Sequence, residues 1–275
     1  MLQRTIPASG EPLPAVGLGT WQAFDVGPRD AARASLREVV RTLGAAAPGR
    51  VIDSSPMYGR AEEAVGDLVA ELGTPERFFY ATKVWTTGRR EGIAQMETSF
   101  RRMRVQRMDL MQIHNLVDWR THAATLAEWK AAGRVRYVGV THYHAGAHAE
   151  LERVVAAGGF DFVQVNYSIG EPEAEHTVLK AARDSGTAVL VNRPFGQGAL
   201  LRRVRSRPLP PWAGELGCTS WGQFFLKWIL AHPAVTCVIP GTGDASHMTD
   251  DLAAGEGPLP DAATRHRMAA YVRDA

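Results

Sequence analysis

Cysteine is nearly missing from this sequence: 275 residues contain only Cys218 and Cys237, too few and too poorly spaced for a disulfide framework or a thiolate metal site. Charge of one sign is not in excess either. Against 29 Asp and Glu stand 31 Lys and Arg, a net +2 that calls for neither nucleic acid nor an anionic membrane surface. No run of about 18 uncharged apolar residues is present to span a bilayer, and the opening MLQRTIPASGEPLP lacks an apolar signal core. The full G-x-G-x-x-G dinucleotide fingerprint is absent as well, since Gly17-Leu-Gly19-Thr-Trp-Gln22 begins it and fails at the third glycine. These absences leave a cytoplasmic protein with a small-molecule partner as the expectation. It would act as a monomer or weak homo-oligomer, with no metal, nucleic acid or membrane.

What is present is ordinary globular composition, 45% hydrophobic and 22% charged, which excludes a disordered chain. Short β-branched runs alternate with longer amphipathic stretches. After a Pro/Gly-rich N-terminal cap, strands are expected at 16–20, 50–53, 78–83, 109–114, 135–141, 161–166, 188–192 and 236–239. Helices are expected at 61–72, 93–103, 121–131, 145–156, 173–184 and 219–231. Several of these helical stretches are followed by glycine, a common C-cap signal. Eight βα units without a low-complexity linker predict one (β/α)₈ TIM barrel over residues 1–275 rather than a doubly wound sheet.

In such a barrel, polar residues at the C-terminal ends of strands face the active site. Asp53, Lys83 and His114 each end an expected strand and lie 30 and 31 positions apart, one βα unit each. Tyr58 follows in a loop marked by Pro56 and Gly59. Alone, each residue is as easily a cap or a packing group. Together they place a carboxylate, an ammonium, an imidazole and a phenol at one mouth. A free phenol has a pKa of about 10, and Lys83, steadied by Asp53, is expected to lower that of Tyr58. A neutral His114 would give a second hydrogen bond to a carbonyl oxygen gaining charge. The same Lys83 also allows a Schiff-base lyase.

The segments IDSSPMYG, ATKVW, MDLMQIH, GRVRYVGVTHY, VQVNYS, RPFGQG and VIPGT, in that order over roughly residues 12–255, resemble the aldo-keto reductase superfamily. The likeness is to a short-loop, bacterial-type member. It implies a metal-free reductase of aldehydes or ketones that uses NADPH, with NADH as an alternative. Asp53, Tyr58, Lys83 and His114 would form the catalytic tetrad, with hydride from nicotinamide C4 and a proton from Tyr58. It further implies that Gly19, Thr20 and Trp21 border the nicotinamide ribose, and that Thr141, His142 and Gln164 surround the carboxamide. Asn192 falls where many members carry a stacking Tyr, and His142 where Asn is usual. Arg193, Pro194, Phe195, Gly196, Gln197 and Gly198 would follow the pyrophosphate. Ile239, Gly241, Thr242, His247, Asp250 and Asp251 would lie around the adenosine phosphate, with Gly241 and His247 replacing the usual Lys and Arg. The basic run 202–207 is a second source of cations there.

Only about six residues separate His114 from the next helical pattern, and about 24 follow Asp251. Relatives with long insertions at both places wall their substrate pocket, so an open mouth is expected here. Trp21, Phe24, Trp85 and Trp119 are the candidate apolar walls beside Tyr58 and His114. A further alternative is a regulatory or redox-sensing nicotinamide binder with little turnover.

Overall fold

The computed structural model describes residues 1–273. The chain opens with a hairpin of β1 (Gln3–Thr5) and β2 (Pro12–Pro14), antiparallel with Gln3 opposite Pro14. Then come β3 (Leu18–Gly19), β4 (Arg50–Asp53), β5 (Phe78–Val84), β6 (Met108–His114), β7 (Val135–Thr141), β8 (Phe162–Asn166), β9 (Ala188–Asn192) and β10 (Cys237–Val238). They pair in sequence order, every neighbour parallel. Around them run α1 (Arg33–Ala46), α2 (Ala61–Leu72), α3 (Arg89–Met103), α4 (Trp119–Ala131), α5 (His148–Ala156), α6 (Val178–Ser185), α7 (Ala199–Arg203), α8 (Trp221–Leu230), α9 (Ala245–Ala253) and α10 (Ala262–Arg273). This is the expected (β/α)₈ barrel. No helix among the described residues is long and apolar enough to cross a membrane.

The barrel closes where β3 meets β10. Parallel bridges join Val16 to Val238 and Gly19 to Gly241, and Gly19 donates its N–H to the Pro240 carbonyl at 2.9 Å. A Cβ on Gly17 would lie 2.7 Å from the Val51 carbonyl oxygen, and one on Gly19 2.9 Å from that of Ile239. Gly19 therefore lets the seam close and Gly17 lets the chain pass close against β4, which accounts for the two glycines of the incomplete fingerprint.

The two-residue period of the strands sorts the core. Val51, Phe79, Ala81, Leu110, Tyr137, Phe162, Leu190 and Ile239 cluster inside the barrel, whereas Ile52, Tyr80, Met111, Val138 and Val163 belong to the cluster shared with the helices. Ile6 and Leu13 join the inner cluster, so the N-terminal hairpin plugs the lower end of the barrel. This hairpin is the Pro/Gly-rich cap expected at the N-terminus.

Helix ends follow local chemistry. Gly73 and Gly186 stop α2 and α6 in the left-handed region at φ 65° and 68°, and Ser220 caps α8 by accepting the Gln223 N–H. Residues 145–156 form the expected helical run, opening with a 3₁₀ turn that continues directly into α5, whereas 173–184 is broken into a 3₁₀ turn and α6 because Thr177 leaves helical geometry at φ −125°, ψ −95°. Helix α4 begins at Trp119, two residues before the expected start, so only four residues join it to His114. Helix α10 lies against the barrel side, where Arg265 hydrogen-bonds the Trp228 carbonyl, and leaves the mouth free.

Candidate active site

At the C-terminal ends of the strands a cleft of about 520 Å³ opens. Asp53 ends β4, Lys83 is the next-to-last residue of β5 and His114 ends β6, as their spacing required. Lys83 is fully buried beneath the cleft, and its Nζ donates to Asp53 Oδ2 at 2.6 Å and to the Ser54 carbonyl at 2.7 Å. Its Nζ also lies 5.0 Å from the centroid of the Tyr58 ring. Asp53 Oδ1 accepts from Gln112 at 3.0 Å and Gln164 at 2.9 Å, so both carboxylate oxygens are hydrogen-bonded. Burial opposes the charge on Lys83, but Asp53 and Tyr58 outweigh it and hold the ammonium above its ordinary range. A Schiff-base lysine needs an accessible amine with a lowered pKa. Lys83 has neither property, and the lyase alternative is left without support.

Tyr58 departs from expectation. Burial pushes its phenol above the ordinary value despite the opposing pull of Lys83, because losing water around a phenolate costs more than the ammonium returns. The phenol is therefore fully protonated at neutral pH. His114 is driven the other way, down to about 2, by burial first and then by Lys83 and His142. It is a neutral imidazole. Its Nδ1 meets Ser55 Oγ at 3.1 Å, and Ser55 Oγ already accepts the Met57 N–H at 3.3 Å. The hydroxyl proton is free to go to Nδ1, the arrangement in which the ring proton sits on Nε2. The Tyr58 and His114 rings stand edge to face at 6.0 Å, and both line the cleft.

A second chain of polar groups crosses the floor. Gln164 Nε2 bonds both Asp53 and Gln112, and Asn192 Nδ2 donates to Gln164 Oε1 at 3.2 Å and to the His142 carbonyl at 3.1 Å. Asn192 Oδ1 is buried without a hydrogen-bond partner. Thr20, fully buried, ties β3 to β4 through the Asp53 carbonyl and Ser54 Oγ.

The structure brings together Gly19, Thr20, Trp21, Asp53, Tyr58, Trp85, His114, Thr141, Gln164, Asn192, Arg193, Pro194, Phe195, Gln197, Gly198, Ile239 and Gly241 along this cleft. Other candidates lie elsewhere. Phe24, expected as a wall, is fully buried in the core because the turn at Trp21 directs its ring inward. Trp119 packs against the core under Arg120. His142 stacks on Tyr143 with centroids 5.3 Å apart, outside the cleft lining, and burial with His144 and His148 brings it down to about 4. Gly196 and Thr242 are also outside that lining, Thr242 bonding Asp244. His247 is exposed on α9, whose first turn is capped by Asp244. Asp250 instead ties α9 to α8 through Ser220 and Gln223, and Asp251 is buried beside it. Sequence reading missed Ser55 and Gln112, and also Gln22, Met57, Asn115, Tyr143 and Leu201 on the cleft wall. For Gln112 a signal existed: it lies two residues before His114 on the same strand face.

The Aldo/keto reductase family matches residues 15–266. The chain belongs to that family. Methylglyoxal reductase YeaE of Escherichia coli is 28% identical over 271 residues, 95% of this chain and 93% of that protein. An aldo-keto reductase of a Mycobacterium species is 33% identical over 232 residues, 80% of this chain and 76% of its own. Among solved structures, an aldo-keto reductase of Klebsiella pneumoniae in complex with NADPH superposes with a TM-score of 0.82 at 22% identity, over 99% of this chain and 96% of that one. At that identity the likeness speaks for the fold.

Proposed function

We propose that this protein reduces aldehydes or ketones to alcohols with NADPH, or less readily NADH, as the electron donor. The observation that carries the reading is the meeting of a protonated Tyr58 and a neutral His114 in one cleft, with the Asp53–Lys83 pair directly behind the phenol. The relative named methylglyoxal reductase and the neighbour bound to NADPH support it.

The residues fit a nicotinamide. Asn192 Oδ1 is a buried acceptor without a partner, suited to a carboxamide N–H, and Gln164 and Thr141 lie beside it. Gly19, Thr20 and Trp21 would border the ribose, 194–198 the diphosphate, and the segment from Ile239 through Gly241 and Thr242 to His247, Asp250 and Asp251 the adenosine end. A bound nicotinamide would supply hydride to the carbonyl carbon.

The chain does the rest. His114 Nε2–H and the Tyr58 hydroxyl both donate to the carbonyl oxygen, polarising it as an oxyanion site does. Tyr58 then gives up its proton to the forming alkoxide. Lys83 neutralises the resulting phenolate, and Asp53 keeps Lys83 charged in a setting that would otherwise discharge it. Trp21 and Trp85, both about two-fifths exposed, flank the entrance and suit an aromatic or medium-chain substrate. The test is absorbance of NADPH with a panel of aldehydes, ketones and sugars, in the presence of a chelator. Loss of absorbance is expected with at least one activated aldehyde. A folded protein that consumes neither NADPH nor NADH with any of them refutes the reading and favours a nicotinamide binder without turnover.

A further inference from the structure

We propose that Arg193 selects carbonyl substrates that carry an anionic group, a carboxylate or phosphate, at the end remote from the reacting carbon. The inference rests on the carbonyl-reductase reading above and narrows its substrate class.

Arg193 follows β9 and starts the loop over the cleft. Its backbone is left-handed at φ 52°, as are Gly196, Gln197 and Gly198, a conformation that a non-glycine residue holds only when its surroundings enforce it. The guanidinium carbon lies 4.3 Å from the Tyr143 ring centroid and 5.9 Å from that of Trp21. Tyr143 and Trp21 belong to the loops after β7 and β3, and both rings are about two-fifths exposed on the cleft wall. Arg193 thus reaches across the mouth, above the floor where Tyr58 and His114 work. It is near enough that its charge draws the proton affinity of Tyr58 downward.

That charge is uncompensated. Among the described residues Asp53 is the one acidic residue on the cleft wall, and it is held by Lys83 at 2.6 Å. His114 is neutral. Among the described residues Arg193 has ring contacts but no ion pair and no hydrogen bond to an acidic side chain. A guanidinium held near aromatic rings without an acidic partner still has N–H donors to fork onto an oxyanion. A substrate with its carbonyl at Tyr58 would present its tail to that edge. The diphosphate of a cofactor has the same chemistry, so the experiment must separate the two sources.

The probes are 4-carboxybenzaldehyde and its neutral match, methyl 4-formylbenzoate, with Arg193→Gln and Arg193→Lys. Wild type is expected to favour the acid in kcat/KM. The ratio of acid to ester should fall roughly 10- to 100-fold in Arg193→Gln, the size of one lost charged hydrogen bond, with Arg193→Lys between. A wild type without preference overturns the proposal. So does a ratio untouched by substitution while the NADPH Kd weakens, which would assign Arg193 to the diphosphate. If neither aldehyde turns over, the reductase reading fails on its own. Tryptophan fluorescence titrations with benzoate and benzamide then decide the anion site, which stands if benzoate alone binds and does so through Arg193, and falls otherwise.

Discussion

Asp53 Oδ2 and Lys83 Nζ lie 2.6 Å apart at the base of the cleft, with the lysine side chain wholly buried and the carboxylate 3% exposed. Removing one partner leaves the other charged or forces it to discharge, and breaking a buried pair costs about 3–5 kcal/mol. Asp53→Asn and Lys83→Met are each expected to lower stability by that order. The double variant should lose clearly less than the two losses combined, since no orphan charge remains. Urea unfolding of all four proteins measures the coupling, and strictly additive losses would show that the pair does not act as a unit.

Tyr58→Phe removes the proton donor while keeping the ring that packs at 6.0 Å from His114. Turnover is expected to fall by about 10² to 10⁴, the usual size of a general-acid contribution. The loss should appear in kcat, with the cofactor Kd, read by fluorescence quenching, changing far less. Turnover at the wild-type rate would mean that another group is the acid.

Ser55→Ala takes away the hydroxyl that holds His114 Nδ1. The imidazole can then carry its proton on either nitrogen, so part of the population would offer a lone pair instead of Nε2–H to the carbonyl oxygen. A fall in kcat of about 10-fold is expected, with Ser55→Thr recovering most of it. Equal activity in Ser55→Ala would show that the tautomer is fixed by something else.

The barrel and three of the polar residues at its mouth were legible because both repeat with the βα unit, so that spacing alone carries Asp53, Lys83 and His114 to adjacent strand ends. What the sequence hides is direction and burial. Phe24 stands three residues from Trp21, yet one tight turn sends its ring into the core while Trp21 stays at the rim. The rise in the proton affinity of Tyr58 is equally invisible, because it comes from water excluded by neighbours from several strands. Ser55 carries no compositional signal, and its role appears only once His114, 59 residues on, folds against it.

Asp251 supplies a pH-dependent term of unusual sign. Burial and the adjacent Asp250 push its carboxyl up to about 8, whereas an unfolded Asp titrates near 3.9. Between those values the folded chain keeps a proton that the unfolded chain releases. This residue therefore lowers stability progressively as pH rises through the window, with no effect below it. Asp251→Asn is expected to be more stable than wild type at pH 8 by roughly 2 kcal/mol or more, and nearly equal at pH 4. Guanidinium unfolding at both pH values measures the difference, and a gain independent of pH would assign it to packing rather than ionisation.

Cofactor choice falls to the adenosine end, where the expected cations are missing. Gly241 has no side chain, His247 is exposed on α9, and Asp244 occupies the first turn of that helix by accepting the Ser246 N–H at 2.7 Å. Asp250 adds negative charge to the same segment through a carboxylate committed to Ser220 and Gln223, whereas the buried Asp251 stays protonated below about pH 8. A 2′-phosphate bears nearly two negative charges and is told from a hydroxyl by cations within hydrogen-bond reach. Only a modest preference for NADPH over NADH is expected from this set. His247→Arg adds a permanent, forked cation and should raise the preference about 10-fold, through tighter NADPH binding rather than weaker NADH binding. Dissociation constants for both cofactors on both proteins decide it. A strong preference in wild type that His247→Arg leaves unchanged would mean that the phosphate is held elsewhere, with the basic stretch from Arg202 to Arg207 the next segment to substitute.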